Sequence, residues 1–117
     1  MVVVEDDKPI MRALLAVLNN AGYVLRSAET IHDGLQMILD ETPSLLVLDI
    51  HLPDGTGWNL IEMYGLRRPE GPRPKILAIS SERISRSLLR QHGVERFLAK
   101  PFDMRYFEES VREMVGG

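Results

Sequence analysis

The feature that most constrains the fold is a regular alternation between short apolar runs and longer segments with helical periodicity. Each apolar run is only a few residues long, which is typical of a buried strand, and the five runs are Val2–Val4, Tyr23–Leu25, Leu45–Leu48, Lys75–Ile79 and Arg96–Ala99. Each run is followed by apolar residues three and four positions apart, which indicate amphipathic helices. Short apolar strands that alternate with helices predict a parallel sheet covered on both faces, and right-handed crossovers favour a doubly wound α/β fold.

Capping and turn residues delimit five predicted helices. The first helix is expected between Asp7, a suitable N-cap, and Gly22, which suits the C′ position. Asp103 is predicted to cap the last helix in the same way. The second helix is predicted to start near Glu29 or Thr30 and to end just before Pro43. The third is predicted around Trp58 to Tyr64, and the fourth from Ile84 to near Gly93. The segment Gly65–Pro74 is rich in proline, glycine and arginine, so we predict that most of it is a loop.

Composition narrows the classes of protein that this chain can represent. Its 117 residues are enough for one domain, which we expect to span residues 1–117. The net charge of −3 gives no basic surface for nucleic acid, and the absence of cysteine argues against disulfides and thiol chemistry. The longest run without a charged residue has 13 residues, whereas a membrane span needs about 20. We therefore expect a single cytoplasmic domain that binds neither membrane nor nucleic acid.

Polar and charged residues stand at the carboxyl ends of four predicted strands. Glu5 and Asp6 follow the first strand, Asp49 the third, Ser80 the fourth and Lys100 the fifth. In a doubly wound sheet these strand ends share one edge, which is where ligands bind. Clustered carboxylates repel one another unless a cation neutralises them, and a hard divalent ion such as Mg²⁺ prefers oxygen ligands. An aspartate between such an ion and a lysine is suited to carry a phosphoryl group.

A recognisable sequence pattern surrounds these residues. It comprises four stretches: Val3–Asp7, Leu46–Gly57, Ile79–Ser81 and Phe97–Phe102. In these stretches the chain resembles the receiver domain of two-component response regulators, and the similarity covers essentially the whole chain. The most specific stretch is the segment around Asp49, with its Leu-Pro-Asp-Gly-Thr-Gly continuation. The resemblance implies a flavodoxin-like parallel sheet of five strands in the order 2-1-3-4-5, with five helices.

The resemblance also implies the acceptor and the metal ligands. Asp49 would be the phosphoacceptor and would share a Mg²⁺ or Mn²⁺ ion with Asp6, the more direct of the two acidic ligands. Glu5 would act partly through water, and the backbone carbonyl of His51 would complete the ligands that the protein supplies. Apart from the resemblance, we hypothesise that the side chains of His51 and Glu82 regulate the access of water to the phosphoryl group.

Three further residues take their roles from the same resemblance. Lys100 would contact the phosphoryl group, and the bond between Lys100 and Pro101 would be a cis peptide. Ser80 would donate a hydrogen bond to a phosphoryl oxygen, and Phe97 would change rotamer when Ser80 moves. This movement would alter the face formed by the fourth helix, fifth strand and fifth helix, through which such domains act. The segment Ser80–Lys100 is shorter than the family pattern, which predicts that either the fourth helix or the loop before it is trimmed.

The function that follows is regulatory rather than enzymatic. A histidine kinase or a His-phosphotransfer protein would supply the phosphoryl group, and a downstream protein or a second copy of the chain would recognise the switched face. Two alternatives remain open, namely a pseudo-receiver that acts by protein binding only and a small Mg²⁺-dependent phosphatase with an aspartate nucleophile. Phosphatases of the haloacid-dehalogenase type carry a second aspartate two residues after the nucleophile, where this chain has His51. A flavin or nucleotide binder is disfavoured because acids replace the phosphate-binding loop after the first strand.

Overall fold

A computed structural model describes residues 1–116 and contains seven strands and five helices. The strands are β1 (Val2–Val4), β2 (Arg26–Ala28), β3 (Leu45–Asp49), β4 (His51–Leu52), β5 (Gly55–Thr56), β6 (Lys75–Ser80) and β7 (Arg96–Ala99). The helices are α1 (Lys8–Asn20), α2 (Ile31–Asp40), α3 (Gly57–Arg67), α4 (Arg86–Gln91) and α5 (Met104–Gly116).

Five of the strands form one parallel sheet in the order β2-β1-β3-β6-β7. Strands β4 and β5 form a small antiparallel hairpin of their own, so the main sheet has the predicted order 2-1-3-4-5. The single-domain α/β fold expected from the sequence is therefore confirmed. None of the helices in residues 1–116 combines the length and apolar character needed to cross a bilayer.

The sheet separates two apolar clusters, one on each face. Residues of α2 and α3, such as Leu35 and Leu60, pack on one face against Val4 of the central strand β1. Residues of α1 and α5, such as Leu14 and Phe107, pack on the opposite face. Burial on both faces explains why the central strands are apolar at successive positions instead of at alternate ones.

The predicted caps at the ends of the first two helices are present. The backbone N–H of Ile10 donates to Asp7 Oδ1 at 3.0 Å, and that of Asp33 donates to Thr30 Oγ1 at 3.1 Å. Gly22 follows α1 with a φ of 91°, in the left-handed region that favours glycine after a helix. Each cap supplies a partner for a backbone group that a helix end leaves free.

The second strand lies three residues later than predicted. Tyr23–Leu25 was the apolar run, but the paired strand is Arg26–Ala28, and the backbone N–H of Arg26 donates to Met1 O at 2.9 Å. Strand β2 is at the sheet edge and is only partly buried, so its position does not depend on an apolar run. In the predicted run, the Val24 side chain is instead 85% exposed.

The segment between β6 and β7 contains a short helix, as its length predicts. Helix α4 has 6 residues and buries none of its side chains. It begins at Arg86 after the N-cap Ser85, so Ile84 lies outside the helix, contrary to the prediction. Helix α3 reaches Arg67, and the predicted loop is therefore shorter than Gly65–Pro74.

Candidate functional site

Four strand ends bring the predicted site residues to one edge of the sheet. Glu5 follows β1, Asp49 ends β3, Ser80 ends β6 and Lys100 follows β7. Glu5 and Ser80 are completely buried and Asp49 is 3% exposed, whereas Asp6 faces solvent. Such burial of ionisable groups is unusual unless they are paired or bind an ion.

Lys100 connects the two buried carboxylates. Its Nζ lies 2.9 Å from Glu5 Oε1 and donates a hydrogen bond to Asp49 Oδ2 at 3.0 Å. The other oxygen of each carboxylate accepts from a backbone N–H: Asp49 Oδ1 from His51, and Glu5 Oε2 from Asp7, both at 3.1 Å. One ammonium group thus faces two buried carboxylates, with the exposed carboxylate of Asp6 beside them.

The pKa values of Glu5 and Lys100 are both shifted in this site, where carboxylates outnumber ammonium groups. Burial and the hydrogen-bonding interaction with Asp49 raise the pKa of Glu5 to about 7, although Lys100 acts in the opposite direction. Burial alone would lower the pKa of Lys100, but Glu5 and Asp49 outweigh it and raise that pKa. Both shifts favour a proton retained in the site, and each such proton offsets part of the carboxylate charge.

The same residues provide a suitable donor set for a hard divalent ion. Glu5, Asp6 and Asp49 each offer a carboxylate oxygen, and these atoms lie within 4.8 Å of one another. Glu5 Oε1 is buried and has no hydrogen-bond partner in residues 1–116, because its contact with Lys100 has an ion-pair distance but not hydrogen-bond geometry. A buried carboxylate oxygen without a hydrogen bond, beside two further carboxylates, fits an oxygen-liganded ion such as Mg²⁺.

Ser80 accepts hydrogen bonds from the loop that follows it and from Lys100, which follows β7. Its Oγ accepts a hydrogen bond from the backbone N–H of Glu82 at 3.0 Å, and its carbonyl oxygen accepts from the backbone N–H of Lys100 at 2.8 Å. The peptide bond between Lys100 and Pro101 is cis. Phe97 is half-buried on β7, opposite Ala78 of β6.

His51 and Glu82 meet at the solvent side of the site. His51 Nε2 lies 3.2 Å from Glu82 Oε2, and both side chains are substantially exposed. His51 begins β4 two positions after Asp49, and Glu82 lies in the loop two positions after Ser80, so this contact joins the segments that follow β3 and β6.

Two residues near the site belong to the sequence pattern around Asp49, but their structural roles were not predicted. A Cβ on Gly57 would lie only 2.9 Å from the carbonyl oxygen of Asp49, so α3 can begin this close to the acceptor only with glycine. Asp54 accepts hydrogen bonds from the backbone N–H groups of Ile31 at 2.8 Å and His32 at 3.1 Å. These bonds lower the pKa of Asp54 and tie the β4–β5 hairpin to the first turn of α2. The sequence alone could not assign these bonds to Asp54, because its partners are more than 20 positions away in the chain.

Comparisons with known proteins agree with this geometry. The family model described as the response regulator receiver domain matches residues 1–112. The chain is 30% identical over 112 residues to the KDP operon transcriptional regulatory protein KdpE of Escherichia coli, covering 96% of this chain and 49% of that protein. It is 32% identical over 116 residues to the transcriptional regulatory protein GltR of Pseudomonas aeruginosa, covering 98% and 48%. The chain thus spans about half the length of these curated relatives.

A solved structure shows the same architecture. The CheY-like response regulator receiver domain protein from Methanospirillum hungatei superimposes with a TM-score of 0.86 at 26% identity, covering 98% of this chain and 91% of that one. The family match covers nearly the whole sequence, and the fold and the acidic cluster at the sheet edge accord with it. The chain therefore belongs to the response regulator receiver domain family.

Proposed function

We propose that this chain is a phosphoacceptor switch that receives a phosphoryl group on Asp49. The observation that carries the proposal is the environment of that carboxylate, which is 3% exposed, bound by Lys100 through one oxygen and by the His51 N–H through the other. A carboxylate fixed in this way presents its oxygens in one orientation. The cationic side chain is already placed where charge develops during transfer, which favours phosphoryl chemistry.

The proposed transfer balances as a simple displacement. A carboxylate oxygen of Asp49 attacks phosphorus on a phosphohistidine, the new O–P bond forms as the N–P bond breaks, and the departing imidazole nitrogen takes up a proton. Lys100 faces the increased negative charge on the acceptor and on the phosphoryl oxygens. Hydrolysis of the resulting acyl phosphate by water restores the Asp49 carboxylate and releases inorganic phosphate.

Glu5, Asp6 and Asp49, with the backbone carbonyl of His51, would hold a Mg²⁺ or Mn²⁺ ion. When bound, the ion supplies charge neutralisation for the phosphoryl oxygens and for the clustered carboxylates. The fit is supported by the three carboxylate oxygens within 4.8 Å of one another and by Glu5 Oε1, which has no hydrogen bond in the described residues.

We further propose that Ser80 and Phe97 convert phosphorylation into a change of surface. The Ser80 hydroxyl oxygen accepts from Glu82 N–H, so its own proton is available for a phosphoryl oxygen. Movement of Ser80 toward that oxygen would weaken its bond to the β6–α4 loop and allow Phe97 to change rotamer. The face formed by α4, β7 and α5 would then bind a downstream protein or a second copy of the chain.

His51 and Glu82 are proposed to regulate access to the phosphoryl group. Their contact of 3.2 Å bridges the loops on either side of Asp49, where water must approach. Replacing both side chains with alanine is expected to shorten the lifetime of the phosphorylated protein, measured by the loss of phosphate after rapid desalting. A lifetime that is unchanged or longer would contradict this role.

The proposed donor is a histidine kinase or a His-phosphotransfer protein, and the role is regulatory rather than enzymatic. By their names, KdpE and GltR are transcriptional regulators, so a role in transcriptional control for a longer protein that contains this domain is part of the proposal. We also propose a cytoplasmic location, in keeping with a sequence that has no cysteine.

The test is intact-mass spectrometry after incubation with acetyl phosphate and Mg²⁺. We expect the mass of one phosphoryl group to be added to the wild-type protein, and no gain for Asp49→Asn or when a chelator replaces Mg²⁺. Asp54→Asn is the matched control, because it changes another aspartate after β3 and should still gain the group. A wild-type protein that gains nothing would favour a pseudo-receiver, and rapid release of phosphate from other phosphorylated compounds would favour the phosphatase alternative.

A further inference from the structure

Helix α4 is held to the rest of the molecule by few buried groups. It has 6 residues, none with a buried side chain, and it lies between the proposed switch residues Ser80 and Phe97. Directly after it comes His92, whose side chain is only 7% exposed. A largely buried histidine beside a weakly packed helix is well placed to control how firmly that helix is held.

Both ring nitrogens of His92 face hydrogen-bond acceptors. Nδ1 lies 3.0 Å from the carbonyl oxygen of Leu88 in α4, and Nε2 lies 2.8 Å from Glu62 Oε2 in α3. A carbonyl and a carboxylate can only accept, so both bonds form together only when each ring nitrogen carries a proton. A neutral ring has only one N–H group, so it would keep one of the two bonds. The lone pair of its other nitrogen would then face an oxygen that can only accept.

The surroundings of the ring also favour a positive charge. The rings of Trp58 and His92 have centroids 4.6 Å apart, and an aromatic face attracts a cation. The bond to Leu88 places the ring at the carboxyl end of α4, where the helix dipole favours a cation.

Other charged groups are present on the elements that surround His92. A cavity of about 590 Å³ between α3 and α4 is lined by His92 itself, Glu62 of α3, Arg90 of α4, and Arg73 and Glu95 of the segments before β6 and β7. Arginine remains charged at all relevant pH values, so the two arginines supply fixed positive charge. Of the side-chain types that line this cavity, histidine is the one that acts as a proton switch near physiological pH.

We propose that doubly protonated His92 is a clasp that holds α4 against α3, and that loss of one of its protons loosens α4. The clasp consists of His92, Glu62, Leu88 and Trp58. It is a property of the unphosphorylated chain and does not require phosphoryl transfer. Its consequence for signalling rests on the proposed function, because α4 belongs to the face that the phosphoryl group would alter.

Two measurements on the unphosphorylated protein test the clasp. The first is the fluorescence of Trp58, the only tryptophan in the sequence, because an adjacent imidazolium quenches indole emission. Emission should increase as pH rises and the ring loses one of its two protons. His92→Gln should abolish this change, whereas His32→Gln, which alters a histidine in α2, should retain it.

The second measurement is hydrogen exchange in α4, followed by mass spectrometry with labelling times corrected for the pH dependence of intrinsic exchange. Raising the pH should accelerate exchange by at least about tenfold, as expected for the loss of one hydrogen bond to a charged group. Glu62→Gln should largely remove this dependence, because an amide can accept from a protonated ring and donate to a neutral one. His32→Gln should behave as the wild type.

The outcomes separate the clasp from the proposed function. Exchange in α4 that does not change with pH, or that His92→Gln leaves as slow as in the wild type, would overturn the clasp. The wild-type fluorescence titration keeps the test valid if a variant folds poorly, because a wild-type signal without a transition also contradicts the proposal. Failure of Asp49 to accept a phosphoryl group would leave these predictions unchanged.

Discussion

At the residue scale, the buried Glu5 carboxylate is the group most affected by the charge balance of the site. It shares one ammonium group with Asp49, and one of its oxygens has no hydrogen bond in residues 1–116. Such a group suits the proposed ion site but destabilises the ion-free protein, because its charged form is disfavoured by burial. The buried Glu5 carboxylate thus lowers stability at a position that the proposed function requires.

The raised pKa of Glu5 predicts how stability depends on pH. Its pKa is 4.5 in the unfolded reference and about 7 in the ion-free folded protein, so the folded state binds the proton more tightly between these values. The contribution of Glu5 to the free energy of unfolding should therefore fall as pH rises from about 4.5 to about 7. Urea denaturation in chelator across this range should show a steeper decline for the wild type than for Glu5→Gln. Parallel curves would contradict the prediction.

Gly57 predicts a steric effect on the acceptor. Gly57→Ala places a Cβ 2.9 Å from the backbone oxygen of Asp49, which cannot move aside as a flexible side chain would. We expect a loss of about 1–3 kcal/mol in the free energy of unfolding, together with slower labelling by acetyl phosphate. Gly65→Ala is the control in the same helix, since its nearest atoms belong to the Arg73 side chain at 3.4 Å, and it should be neutral or stabilising. Equal behaviour of the two variants would contradict this account.

At the element scale, the β4–β5 hairpin is fixed to α2 by Asp54. Its carboxylate accepts from Ile31 and His32 N–H, while Thr30 caps the next part of the same turn. Asp54→Ala should lower the free energy of unfolding by about 1 kcal/mol near neutral pH, a typical value for a lost cap. Because the folded pKa of Asp54 is lowered, the difference should disappear as pH falls below its usual range. A variant that is as stable as the wild type at neutral pH would argue against the cap.

The elements also show what the sequence could predict and what it could not. The central strands were predicted closely, because burial on both faces makes them continuously apolar, as in Leu45–Leu48. The edge strand β2 was misplaced because an edge requires less apolar sequence, and the hairpin β4–β5 was missed because it has only two residues in each strand. The strand-end residues could be assigned to one edge, since parallel topology brings such ends together. The contacts of Asp54 with α2 and of His92 with α3 could not be predicted, since they depend on packing between segments that are distant in the chain.

At the scale of the whole molecule, folding and ion binding are expected to be linked. The donor set exists only when β1 and β3 are paired, so an ion that binds it stabilises the folded chain. Mg²⁺ should raise the thermal midpoint in a concentration-dependent manner, and Asp6→Asn should weaken this response without altering the fold seen by circular dichroism. Asp7→Asn, which changes the neighbouring helix cap, is the control and should retain the response. A midpoint that does not respond to Mg²⁺ in the wild type would contradict the proposed ion site.

The most direct test of the central claim is to locate the phosphoryl group chemically. Borohydride reduces an aspartyl phosphate to homoserine, so the protein labelled with acetyl phosphate and Mg²⁺ can be reduced, digested and sequenced by mass spectrometry. The account predicts homoserine at position 49 in the wild type and none in a sample kept without the phosphodonor. Homoserine at another acidic residue, or none at position 49 despite a mass gain in the intact protein, would contradict the assignment of Asp49 as the acceptor.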